Sequence, residues 1–186
     1  YDLIGFLQNN NRDKNISNNK INYKFTIFDL SGKPIKEYIG KTDLLVGQTF
    51  PIIVQNVPLD LESSGNDISK VILTTSFDNN EWLKVDSIFG ESFFSSSNED
   101  YERLNNNITQ LSLDITNPTK ARFRDIPIRI TLENEEGNIV AVNETILRDI
   151  AGRSSQKVSF TWRNPLEIED PIIKVYSIIS PSSDFR

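Results

Sequence analysis

The strongly patterned stretches of this chain alternate apolar and polar residues with period two. Leu111, Leu113 and Ile115 alternate with Ser112, Asp114 and Thr116. Ile126, Ile128, Ile130 and Leu132 alternate with Pro127, Arg129, Thr131 and Glu133, and Val158, Phe160 and Trp162 with Lys157, Ser159 and Thr161. That period puts one face of a strand in a core and the other in water. Tyr23, Phe25 and Ile27 line a further strand face, as do Phe50, Ile52 and Val54, and then Val71, Leu73, Thr75 and Phe77. No long segment has a helical period; only Glu99 to Leu104 suits a turn or two of helix, with Ser97 or Asn98 as cap. Sheets that lack helices to cover them must bury their apolar faces on one another. The pattern therefore predicts an all-β chain of antiparallel β-sandwiches.

The chain also repeats itself. Phe25-Thr26-Ile27-Phe28-Asp29-Leu30-Ser31-Gly32 is echoed 105 residues later by Ile130-Thr131-Leu132-Glu133-Asn134-Glu135-Glu136-Gly137. Gly32 to Gly47 has the same spacing as Gly137 to Gly152, each pair followed by an apolar strand. Both halves open with a strand ending in Asn, at Asn9-Asn10 and at Asn117. The repeated glycines have a turn-chemical reason. Asp29 and Asn134 suit the first position of a type I turn, and Gly32 and Gly137 suit the left-handed position after it. Two tandem immunoglobulin-like antiparallel β-sandwiches follow, at residues 1–80 and 108–186, joined by a segment 81–107 that holds an extra strand.

Composition excludes several kinds of chemistry. The 186 residues contain no Cys and no His. There is thus no thiol nucleophile, imidazole base or disulfide framework. Twenty Lys+Arg against 26 Asp+Glu, a net charge of −6, argues against a nucleic-acid partner. No run approaches the ~18 apolar residues of a membrane helix. Met is also missing, and Tyr1 begins inside a strand, so a processed or truncated product is expected, with any signal or anchor upstream.

The stretch Phe25-Thr26-Ile27-Phe28-Asp29 resembles the motif of the FxLYD domains of bacteria and archaea. Phe25 and Asp29 match it, with Ile27 and Phe28 in place of its Leu and Tyr. The second copy departs further, with Ile130, Glu133 and Asn134 at the motif positions. The resemblance runs loosely from Leu3 to Leu73 and again from Leu111 to Val175. It implies small β-sandwiches attached to an exported or membrane-anchored segment of a prokaryotic protein, and it supplies no catalytic residue or cofactor.

Candidate sites are few. Trp82, Phe93, Phe94 and Tyr101 lie close together in sequence. They form either an aromatic platform for a sugar or protein partner, or a structural clasp at the junction of the repeats. The clasp is the preferred reading. Asp60, Glu62 and Asp67, with Gly65 and Asn66, form the best calcium candidate, but without the spacing of a calcium loop. Lys120, Arg122, Arg124 and Arg129 make a small basic patch that either docks an acidic neighbour or pairs with carboxylates across a sheet. Asp29, Gly32, Gly47, Asn134, Gly137 and Gly152 are expected as turn residues. The sequence thus points to a non-enzymatic module at a prokaryotic cell surface, acting through protein partners or self-assembly. A carbohydrate-binding module using the aromatics is the alternative.

Overall fold

The computed structural model describes residues 1–10, 16–44, 49–59, 67–77, 82–84, 94–104 and 107–179. The chain is all-β, with no helix among the described residues and every strand pairing antiparallel. It divides into two compact units, Tyr1–Ser87 and Ile88–Arg186.

The first unit holds β1 (Leu3–Gln8), β2 (Ile16–Asp29), β3 (Pro34–Leu44), β4 (Thr49–Val54), β5 (Ile68–Ser76) and β6 (Trp82–Lys84). β1 pairs with β4 in one sheet; β3, β2 and β5 form the other. β6 also pairs with β2, opposite Ile16 to Asn18, beyond the point where β5 ends against Asn22. The two sheets bury Leu3 and Ile52 against Phe25 and Ile27, closed at one side by Val57.

The second unit holds β7 (Ser95–Leu104), β8 (Ile108–Asn117), β9 (Ile126–Glu133), β10 (Ile139–Leu147), β11 (Ser154–Trp162) and β12 (Ile172–Ser177). One sheet runs β11-β8-β7 and the other β10-β9-β12. The alternating residues read from the sequence form a single core. Leu111, Leu113 and Ile115 of β8 and Val158, Phe160 and Trp162 of β11 pack with Ile126, Ile128, Ile130 and Leu132 of β9. Each fully buried Ile or Leu of this kind contributes roughly 1.5–3 kcal/mol over its exposed state. The Trp162 indole N–H donates to the Val142 carbonyl at 3.0 Å, and Asn143 Nδ2 donates to the Thr161 carbonyl at 3.0 Å. These two bonds tie β11 to β10, an edge strand of the other sheet.

The two units have a like order of pairing. The β1–β4 pair corresponds to β8–β11, and β3-β2-β5 to β10-β9-β12. Within residues 81–107, the described strands are β6, which pairs in the first unit, and β7, which pairs in the second. One sequence expectation changes. Glu99 to Leu104 is not helical but part of β7, which hydrogen-bonds along β8 from Ser95↔Thr116 to Leu104↔Ile108. Pairing with β8 overrides the weak local preference. The proposed cap Asn98 instead sits at a bulge with φ 53°, its side chain bonded to Asp114 at 2.7 Å.

The two glycine turns are alike in detail. Gly32 and Gly137 have φ of 80° and 79°, and their N–H groups donate to Asp29 O (3.0 Å) and Asn134 O (2.9 Å). Asp29 Oδ1 accepts from Lys33 N at 2.9 Å, and Asn134 Oδ1 accepts from Asn138 N at 2.8 Å. A β-branched side chain at such a φ costs on the order of 1–2 kcal/mol. Gly137→Val is therefore expected to lower the melting temperature by about 4–10 °C, while Gly137→Asn, tolerant of the left-handed region, loses less. Calorimetry checks both.

Candidate functional site

The aromatic candidates separate on inspection. Phe94 is 6% exposed and stacks edge-on against Phe123, with ring centroids 5.5 Å apart. It is part of the second unit's core. Tyr101 is half-buried against the same core, and its hydroxyl donates to the Ile168 carbonyl at 3.0 Å. Burial raises the Tyr101 pKa above its usual value. Neither ring forms part of an open platform. Trp82 lies in β6 with its backbone opposite Asn18, and Phe93 falls outside the described residues. The burial of Phe94 and the tethering of Tyr101 are structural roles within one unit.

The turn residues are found where expected, except that Gly47 lies outside the described residues. Gly152 is needed for close approach rather than for positive φ. A Cβ there would overlap the backbone carbonyl of Lys120. Asp60 and Glu62 of the calcium candidate also lie outside the described residues, and Asp67 is exposed. Among the described residues, no cluster of three or more carboxylates could hold a metal ion.

The second unit carries its most organised polar cluster at one end of the sandwich. β8 leaves at Asn117 beside Ser154 of β11, and β9 enters at Ile126 beside Leu147 of β10. The loops 118–125 and 148–153 therefore meet at that end. Asn117 is fully buried between them. Its Nδ2 donates to Ala121 O (2.8 Å) and Ala151 O (3.0 Å), and its Oδ1 accepts from Thr119 N (3.0 Å) and Thr119 Oγ1 (2.9 Å). Phe123 and Ile150 form a β-bridge, and Arg153 N donates to Thr119 O at 2.7 Å. Asp125, Asp149 and Arg153 all have positive φ, of 49°, 61° and 56°. Strained backbone of this kind persists only where the surroundings hold it.

This end is basic. Arg122 grips both carboxylate oxygens of Asp149 through Nε and Nη2, and Arg124 Nε lies 3.8 Å from the same carboxylate. The hydrogen bonds from Arg122 hold the Asp149 carboxyl below its usual pKa and raise that of Arg122. Arg129, placed in the same patch by sequence, stands apart. It pairs with Glu144 across the β9–β10 ladder. Arg148 and Arg153 join the patch instead. Proximity in sequence could not find them. The signal that could is the antiparallel pairing of the β8 end with the β11 start.

The remaining shifted groups are also explained by structure. Asp29 is held below its usual pKa first by the Ser31 hydroxyl at 2.6 Å and then by the Lys33 N–H. The Lys24 ammonium at 2.9 Å lowers Glu37, and the Glu133 carboxylate at 2.8 Å raises Lys174.

No protein-family model matches the chain, and no curated protein matches it. Among solved structures it is similar to a β-glucuronidase from glycoside hydrolase family 2, at 14% identity and a TM-score of 0.31. The match covers 98% of this chain and 23% of that one.

Two outcomes are expected. Asn117→Ala removes four hydrogen bonds to the two loops and strips the half-buried Thr119 N–H of its acceptor, while Ala151 O keeps the Ser154 hydroxyl and Ala121 O the Thr119 hydroxyl. It should lower unfolding free energy by about 2–4 kcal/mol in urea titrations. Asp29 has a folded pKa below the unfolded value near 3.8, so its stabilisation is complete above that pH and is lost as pH falls through the folded pKa. The stability difference between wild type and Asp29→Asn should thus be constant above about pH 5 and shrink towards pH 2, as followed by urea melts across that range.

Proposed function

We propose that this chain is a non-enzymatic interaction module of a prokaryotic exported or surface-anchored protein, of the FxLYD-like kind. The observation that carries the reading is how the described polar groups are used. Buried Asn117 bonds to loop backbone, Asp29 closes a turn, and Thr109 Oγ1 accepts from Leu166 N at 3.0 Å. The shifted titratable groups have turn, core or ion-pair causes, whereas an active site perturbs such groups for chemistry. What remains available for recognition is surface: strand edges, sheet faces and loop ends. Exposed edges and rigid loops are how sandwich domains commonly meet partners.

Intact source cells treated with protease and with a short crosslinker test this reading. The chain should be cleaved without lysis and should crosslink reproducibly to a defined neighbour. Protection until lysis, or a chain that crosslinks to nothing, would overturn it.

A further inference from the structure

The second unit is electrically polarised along its strands. Its loops 118–125 and 148–153 carry Lys120, Arg122, Arg124, Arg148 and Arg153 against Asp125 and Asp149. The opposite end is formed by the β9–β10 turn and the β11–β12 loop. Those segments, 134–138 and 163–171, carry Glu135, Glu136, Glu167, Glu169 and Asp170 against Arg163 alone. The two acidic segments share one strand end, because Glu133 is paired with Ile139 on one side and Ile172 on the other. β9 separates the basic and acidic ends by eight residues, about 25 Å.

These charges are exposed and largely unspent. All five cations and all five carboxylates are exposed. Lys120, Arg148 and Arg153 form no ion pair among the described residues, and neither do the five carboxylates. Both ends are also held in place before any partner arrives. The basic end rests on Asn117 and the Phe123–Ile150 bridge. The acidic end rests on the Tyr101–Ile168 and Leu166–Thr109 hydrogen bonds and the Gly137 turn. Charge fixed on rigid loops loses little freedom on binding.

We infer that the basic end of the second unit docks on the acidic end of the second unit of another copy, head to tail. The occupant is named by charge complementarity: the chain carries, on one rigid sandwich, both the cationic surface and the anionic surface that fits it. Such a contact is heterologous and does not close by a two-fold axis, so it generates rings or open filaments rather than a closed dimer. It rests on the interaction-module reading and supplies a partner for it. At physiological salt, screening over about 8 Å weakens a contact made of exposed ion pairs. The association is therefore weak and salt-sensitive for one pair of copies, and strengthens where copies are held side by side on a surface.

The test is sedimentation velocity on the full chain and on two charge-reversed variants, each first checked for an unchanged melting profile. One variant carries Lys120→Glu, Arg124→Glu and Arg148→Glu, which leaves the Arg122–Asp149 pair in place. The other carries Glu135→Lys, Glu136→Lys, Glu167→Lys and Glu169→Lys. Wild type should exceed the monomer mass of 21.2 kDa as concentration rises at about 20 mM salt. Its apparent association constant should fall roughly tenfold or more by about 0.5 M. Each variant alone should remain monomeric, and their equimolar mixture should associate again. The second variant moves the net charge from −6 to +2, nearer zero, so unspecific association would rise rather than fall. A monomeric wild type at low salt, association that ignores salt, or a mixture that fails to associate overturns the end-to-end contact. None of these results bears on the crosslinking test of the module reading, so the two can fail separately.

Discussion

A sheet with one apolar face is unstable until something covers that face. Nothing in the described residues is helical, so the cover can only be another sheet. The rest of the molecule follows from this. In the second unit, Leu111, Leu113 and Ile115 meet Ile126, Ile128 and Ile130 across the gap, and Val158, Phe160 and Trp162 extend the same layer. Loops must then leave at the two ends of the sandwich, and their polar groups must be satisfied there. Asn117 and Asp29 are the side chains that satisfy them, one between two loops and the other inside a turn.

Much of this was legible in the residues, and the part that was not has a physical reason. Alternation marked β8, β9 and β11 because each turns one face into a face-to-face core, which is what a period of two records. The glycine turns were legible because positive φ narrows the choice of residue sharply. β7 was not. Ser95–Leu104 is an edge strand whose inward contacts reduce to Tyr101 and the preceding Phe94, so its pattern is mostly that of a solvent face. The local signals there suit a helix cap, and only the ladder to β8 decides between the two. The aromatic cluster divides for a related reason: adjacency in sequence suggests a shared platform or, preferably, a clasp between the repeats, while Phe94 and Tyr101 turn into the core of a single unit.

The charged ends illustrate the same limit. Arg122 and Asp149 are 27 residues apart, and their contact exists only because β8 pairs with β11 and β9 with β10. Arg129, close in sequence to the patch, is taken out of it by the β9–β10 register. Topology thus redistributes charges that look clustered and clusters charges that look scattered. The result is a unit whose ends differ in sign although the chain as a whole is simply acidic.

The Trp162 indole has a further use. The chain holds two tryptophans, Trp82 in the first unit and Trp162 in the second. Trp162 is 9% exposed and its ring N–H is bonded to Val142 of β10, in the other sheet of that unit. Its emission therefore senses whether the two sheets of that unit remain in contact. A Trp82→Phe chain would carry a single tryptophan beside five tyrosines. With excitation at the red edge, where tyrosine does not absorb, the opening of the second sandwich could be followed optically without an attached label and without mixing in the signal of the other tryptophan.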